Sequence, residues 1–369
     1  MARRLRAQRL TGAPCATPEE AVGRLLGVQA QDFAPAKWAV GRRVAGATDA
    51  NVGEAFAAGR ILRTHVLRPT WHFVLPADVR WLLTATAPRI LARDARRYAE
   101  LGLDGATLRR AADVFTEALR GGALTRAELA GALAEAGIST EDQRMPYLLM
   151  NAELDARICS GPPRGRQQTY MLFAERVPET PVLSRAEALG ELAARFFAGH
   201  GPATAKDLAW WASLTLAEVR TGLERAGERL RREACAGLVF WSGADGPSAD
   251  PPAAAPDPPA AVTPCAVSAP VVHLVQGYDE CVMGYGETRY LLARPGSTWV
   301  AATPPVGRLV ILLDGRVGGF WRRTLSKDRV LVEAELIDSW DGKAREALAV
   351  EADRFGRFLG LPAEVVIAG

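Results

Sequence analysis

The chain has 369 residues, 49% hydrophobic and 24% charged, which is length for roughly two to three domains with real cores. No stretch approaches the roughly 18 uncharged apolar residues of a membrane span, and the opening MARRLRAQRL leads toward an amphipathic helix rather than a signal-peptide apolar run. Five cysteines, at positions 15, 159, 235, 265 and 281, form neither a disulfide framework nor a CxxC pair for zinc; a cytoplasmic protein without metal or other cofactor is expected.

The formal net charge of +3 conceals an asymmetry. Residues 1–100 carry 16 Lys/Arg against 8 Asp/Glu, residues 101–242 carry 17 against 18, and residues 243–369 carry 12 against 16. A basic first hundred residues suits a polyanionic partner, because each neutralised phosphate releases counterions; the alternative is a merely solvated face.

In chain order, the first helix start is Thr17-Pro18-Glu19-Glu20, an N-cap hydroxyl followed by proline and by acids that suit the helix dipole. Val22, Leu25, Leu26 and Gln29 follow at spacings of three and four, which carries the buried helical stripe on to Gln29. Helices are expected around Pro35 to Val44 and Asp49 to Ala58, then two β-type runs, Ile61 to Val66 and Thr70 to Leu75, as a hairpin. Three helices and a hairpin make the layout of a winged helix, assigned to residues 1–100.

The layout recurs in residues 101–181. Residues 106–120 read as a helix, Thr125-Arg126-Ala127-Glu128 as a capping-box start, and Gln143 to Asp155 as a third helix. A turn-rich stretch from Ser160 to Gln168 then separates the strand-like runs Ala156 to Cys159 and Thr169 to Phe173. A third copy, residues 182–242, runs from the helix Arg185 to Ala198 through a helix-turn-helix, Thr204 to Ala226, to the strand Leu238 to Trp241. Such modules serve DNA contact or protein interaction.

Residues 243–269 are rich in Pro, Ala, Asp and Gly and read as a linker or loop. Beyond it, strands are expected at Val271 to Val275, Arg289 to Leu292, Val306 to Leu313, Arg316 to Trp321 and Val330 to Ile337, with a hairpin turn at Asp314-Gly315 and a closing helix from Ala344 to Leu359. The fold class is therefore mainly α with β wings (α+β): three tandem winged-helix motifs and a small β-rich C-terminal domain, residues 270–369, as an open sheet or partial barrel.

Walker, GxSxG and HExxH motifs are absent, and there are four histidines, at 65, 72, 200 and 273. What stands out is Gly27-Val28-Gln29-Ala30-Gln31-Asp32, two amides where leucines would satisfy packing. They either cap the helix and bond backbone or face a ligand. Arg63, His65, Arg68 and His72 fall on the hairpin with Trp71 and Phe73 between them, and such a ribbon can enter a groove and contact phosphates. The alternative is an aromatic core face with solvated basic residues. Arg89, Arg93, Arg96 and Arg97 share one helical face and could track a DNA backbone.

Leu26 to Asp32, Leu67 to Val74 and Pro76 to Leu82 together resemble the winged-helix alkylpurine DNA glycosylases, the AlkZ/YcaQ-like family. Val275-Gln276-Gly277-Tyr278-Asp279-Glu280-Cys281-Val282-Met283-Gly284-Tyr285 is similar to that family's "pFDEyllGY" segment, and Asp314 to Arg323 to its "DGrvvGtWrr" strand pair. The chain departs from the pattern at Gln276-Gly277-Tyr278, where Pro-x-Phe is common, and in its long Pro/Ala stretch. Family members cleave the N-glycosidic bond of alkylated purines, and some unhook interstrand crosslinks. The QxQ form resembles the branch that serves antibiotic self-resistance.

The resemblance implies that Gln29 and Gln31 are the catalytic pair. An alkylated purine carries a positive charge and leaves as a neutral base, so a neutral amide that holds water and faces the developing sugar cation is plausible chemistry. Because a lone Lys37 beside Trp38 reads as a phosphate contact, a monofunctional enzyme is expected, acting as a monomer on double-stranded DNA carrying alkylated purines, in the cytoplasm of a bacterium. The side chains expected on the DNA are Lys37, Arg42, Arg43, Arg63, His65, Arg68, Thr70, His72, Arg93, Arg96 and Arg97. Asp32 is a candidate base and Lys37 a candidate Schiff-base former, each with an ordinary surface reading beside it. The alternative to a glycosylase is a non-catalytic winged-helix DNA-binding regulator.

Overall fold

The computed structural model describes residues 1–244, 269–295 and 307–368. The expected linker falls almost wholly outside them, as do Cys265 and Val306. Among the described residues no helix is long and apolar enough to cross a membrane.

One order of elements occurs twice in full: helix, short strand, two helices, hairpin. The first copy runs Pro18–Leu25, Val28–Gln29, Phe33–Gly41, Asp49–Ala57, then the strands Leu62–His65 and Trp71–Val74; the last strand lies between the other two. The second runs Gly105–Leu119, Leu124–Thr125, Arg126–Glu135, Arg144–Leu154, Ile158–Ser160 and Thr169–Leu172, with the same strand order. In a third region, Arg185–His200, Ala205–Trp211 and Leu216–Ala226 precede the hairpin Leu230–Cys235 and Leu238–Gly243, and the lone bridge from Ala203 to Trp241 stands where the short strand would be. Local signals start these helices: Thr17 caps the Glu20 N–H, and Thr125 with Glu128, Thr204 with Asp207 and Thr215 with Glu218 close reciprocal capping boxes, each cap contributing about 1 kcal/mol.

The sequence misleads at the first strand. The helix stops at Leu25, Leu26 takes a φ of +64°, and Val28–Gln29 is extended, paired with Phe73 and His72. Gln29 is thus not on a helical stripe. Tertiary pairing overrides the spacing there, and a Cβ on Gly27 would meet the Leu67 side chain at 2.9 Å, so the turn is packed directly on the hairpin. Other differences are smaller: the second helix begins at Phe33 and ends at Gly41, and the N-terminus forms a separate helix, Ala2–Ala7.

The C-terminal residues form an open five-stranded sheet, not a barrel. Its order is Ala363–Ala368, Val330–Leu336, Arg316–Leu325, Leu309–Leu313 and Val272–Val275, antiparallel except for the first pair. The parallel pair needs a crossover, which the helix Gly342–Leu359 supplies. That helix does not close the chain, as the sequence suggested; the edge strand after it does. Arg289–Leu292 is a 3₁₀ turn rather than a strand, because the Thr288 N–H and hydroxyl before it are bound to Asp207. Asp314 and Gly315 both have positive φ, 53° and 77°, which is the type I′ hairpin geometry their pairing suggests.

Two large cores cross the boundaries drawn from sequence. Val22, Trp38, Phe56 and Phe73 share one with Leu274, Trp321 and Phe355, so the helices of the first copy and the C-terminal sheet share a core. Trp38 meets Phe355 edge to face at 5.0 Å, and its Nε1–H donates to the Leu274 carbonyl at 2.8 Å. The middle of the chain shares the other core with the 25-residue helix Pro76–Glu100.

Candidate active site

Gln29 ends the edge strand Val28–Gln29 and is 3% exposed, and Gln31 stands two residues on, in the bend that leads to the next helix. The backbone of Gln29 is held from both sides by the segment 276–280: its N–H donates to Glu280 Oε1 at 3.0 Å, and its carbonyl accepts from Gln276 Nε2 at 3.1 Å. Glu280 is fully buried and also accepts from Trp211 Nε1 at 2.6 Å. The Gln29 side chain is held too. Arg68 donates to its Oε1 at 2.8 Å, and since a guanidinium only donates, the oxygen must face Arg68 and the NH2 must face away.

Gln31 is half-buried and lines a concavity of about 300 Å³ with His65, Trp71, Asp94, Tyr147 and Met150. Burial pushes the Asp94 carboxyl up from its ordinary value, against the pull of Arg93 and His65. The indole of Trp71 separates this concavity from a larger one of about 610 Å³ that also holds Arg63, Met145 and Tyr170. Arg63 lies over Trp71 at 4.3 Å and donates to the carbonyls of Ala30 and Gln31 at 2.9 and 3.2 Å. The recess joins the Gln31 amide, aromatic faces and the Asp94 carboxyl.

A family model described as DNA glycosylase AlkZ-like matches residues 22–358. The chain belongs to the AlkZ-like DNA glycosylases. In fold it is similar to the Streptomyces sahachiroi DNA glycosylase AlkZ, with a TM-score of 0.74 at 21% identity over 99% of this chain and 98% of that one. No curated protein matches. This glycosylase is therefore a DNA repair enzyme that acts on DNA.

Several side chains expected on the DNA are inside the glycosylase. Arg42 and Arg43 are each 1% exposed. Arg42 donates to Glu351 at 2.6 Å and to His273 Nδ1 at 2.9 Å, and Arg43 grips both Asp279 oxygens at 2.9 and 2.7 Å. His65 is buried against Glu153. Arg68 is buried between Gln29 and the Trp211 carbonyl, the latter at 2.8 Å. His72 donates from Nδ1 to the Thr70 carbonyl at 2.9 Å and faces Arg68 with Nε2, and burial with Arg68 beside it holds its pKa well below the usual histidine value. Arg42, Arg43, Arg68 and His72 have their charge or ring engaged inside the protein, whereas His65, bonded to Glu153 through Nδ1, also lines the concavity.

The remainder are nearer the surface. Lys37 pairs with Asp49 at 2.6 Å, and Thr70 is half-buried with no partner for its hydroxyl among the described residues. Arg93 and Arg96 are exposed, and Arg97 is partly so, the last two beside Glu100. Sequence reasoning missed Tyr147, Met150 and Glu153, which come from a helix some 85 residues beyond the hairpin; no local spacing marks them. It also missed an exposed hairpin tip in which Leu325, 56% exposed, is flanked by Arg322, Arg323, Lys327 and Arg329.

Proposed function

We propose that this glycosylase is monofunctional and hydrolyses the N-glycosidic bond of N7- or N3-alkylated purines in duplex DNA, bulky adducts and interstrand crosslinks included. It would act as a monomer built on three winged-helix modules. The observation that carries the site is the close spacing of the two amides at the end of the edge strand, Gln29 fixed at backbone and side chain and Gln31 lining the concavity. With Arg68 on its oxygen, Gln29 offers NH2 donors outward, and Gln31 offers an amide that can accept from water. A water held between them meets C1′ as the bond to the cationic base lengthens, and the amide oxygen faces the developing oxocarbenium charge. Unmodified purines lack the positive charge that makes the base a good leaving group, so they are poor substrates. Arg93, Arg96 and the basic Leu325 hairpin are proposed as the DNA-facing surface, because they are exposed where the buried arginines are not.

The test is release of free N7-methylguanine from methylated duplex DNA by the native enzyme and by Gln29→Ala and Gln31→Ala, with DNA affinity measured alongside. Release by the native enzyme and its loss in variants that still bind DNA supports the reading. Tight DNA binding without release of this or of a bulky N7 adduct favours a regulator that has kept the fold.

A further inference from the structure

The two glutamines supply no base: an amide can orient water but cannot take its proton. Within the concavity that Gln31 lines, one group is arranged to do so. His65 and Glu153 are both buried, and the Glu153 carboxylate is bonded to His65 Nδ1, which assigns the ring proton to that nitrogen. His65 Nε2 has no protein partner among the described residues, and the ring forms part of the concavity wall. The ring is held in place by Trp71, with centroids 4.5 Å apart. By contrast, both nitrogens of the fully buried His72 are engaged within the protein, Nδ1 on the Thr70 carbonyl and Nε2 on the Arg68 guanidinium.

We infer that His65 Nε2 accepts the proton of the attacking water and that Glu153 is the positioning residue that sets its tautomer and orientation. The inference rests on the reading of Gln29 and Gln31 given above. In the step, the C1′–N9 bond breaks and its electron pair passes into the purine ring, cancelling the positive charge of the alkylated base. The water oxygen bonds to C1′, one water proton moves to His65 Nε2, and the imidazolium later releases it to solvent. The charged groups that face His65 are Glu153 on the helix Arg144–Leu154 and Asp94 on the helix Pro76–Glu100. Both favour the transient imidazolium. Burial beside Arg68 disfavours a charge on His72 of the neighbouring strand, and the Arg63 cation two residues away is stacked on Trp71.

The experiment is single-turnover release of N7-methylguanine from duplex DNA across pH, with native enzyme, His65→Gln, His65→Ala, Glu153→Gln and Gln31→Ala. The native rate should fall on the acid side with a one-proton limb. His65→Gln, which keeps a polar group near Nε2 but cannot take a proton, should be slower by about 10²-fold or more and lose the limb. Added imidazole should restore part of the rate to His65→Ala. Glu153→Gln should move the limb to lower pH, because the imidazolium has lost its anionic partner. A folded His65→Gln enzyme that keeps its rate, or that slows with the limb unmoved, overturns the inference. Where the His65 variants fail to fold, an unmoved limb in Glu153→Gln overturns it and a displaced one supports it. No release by native enzyme would instead sink the glutamine reading, and loss in Gln31→Ala with His65→Gln unaffected would keep that reading and discard this one.

Discussion

Glu280 accepts the backbone N–H of Gln29 at 3.0 Å across 251 positions of sequence. The carboxylate has no solvent contact, and its second oxygen is occupied by the Trp211 indole. In Glu280→Gln one carbonyl oxygen remains, and the new NH2 confronts one of those two donors. The Gln29 edge then shifts, and a displacement of about 1 Å lowers the single-turnover rate by about 10²-fold. DNA affinity, measured by titration at fixed salt, should change by less than about 3-fold. An equal loss of rate and affinity would place Glu280 in the DNA-binding surface instead.

Arg43→Met should lower stability by about 3–5 kcal/mol, because it leaves the buried Asp279 carboxylate without its bidentate partner. The double variant Arg43→Met/Asp279→Leu removes both charges and should recover most of that loss in urea titrations. Salt dependence of DNA binding should be unaltered in both. A shallower salt slope for Arg43→Met would return that arginine to the DNA.

The opposite pattern is expected on the helix Pro76–Glu100. Arg93→Gln and Arg96→Gln alter exposed side chains, so thermal stability should stay within about 0.5 kcal/mol. Each phosphate that is no longer neutralised should reduce the slope of log K against log salt by about 0.9. An unchanged slope in the double variant would show that this face does not meet the DNA backbone.

Acid should unfold the enzyme. Burial and neighbouring arginines, Arg42 first, hold His273 at about 2, and burial with Arg68 beside it holds His72 well below its ordinary value. The unfolded chain binds protons on both near pH 6.5, while the native state does not, so stability present above that pH is lost as pH falls. Each group contributes about 1.4 kcal/mol per pH unit, or up to about 4 kcal/mol for the pair by pH 5. His273→Gln should roughly halve the slope of stability against pH between 6.5 and 5; a slope equal to that of the native enzyme would refute the assignment.

Asp279 works in the other direction of charge and over a lower range. Burial alone would raise its carboxyl, but the Arg43 guanidinium and the Cys281 N–H hold it at about 2. Its contribution, on the order of 2 kcal/mol, is complete above the ordinary aspartate range and is lost as pH falls from about 4 toward 2. Asp279→Asn should remove that low-pH component and leave the histidine component intact.

Helix starts were legible because they are local: Thr17 and Thr125 announce their caps within four residues. The wing hairpin and the Asp314-Gly315 turn were legible for the same reason. Gln29 was identified as a site candidate but assigned to the wrong element, because a spacing of three and four fits a helix and only the partner strand at Trp71–Val74 shows otherwise. The arginines failed as surface markers. Charge counts cannot distinguish Arg43, clamped by a carboxylate 236 positions away, from Arg96, which is 91% exposed. Of the concavity wall, Gln31, His65 and Trp71 stood out in the sequence, but Asp94, Tyr147 and Glu153 did not, since they meet His65 only after two helices have packed on the hairpin.

The clasp on Gln29 also sets when the enzyme comes into being. Its jaws, Gln276 and Glu280, leave the ribosome some 250 residues after the glutamine they hold, and the sheet that backs them shares its core with the first hundred residues. A nascent chain can hold both glutamines and most of the positive charge yet have no fixed edge at residue 29. If Gln29 acts as proposed, a chain whose jaws have not yet been made should be inert toward DNA, and the capacity to cut bases should arise only once they have.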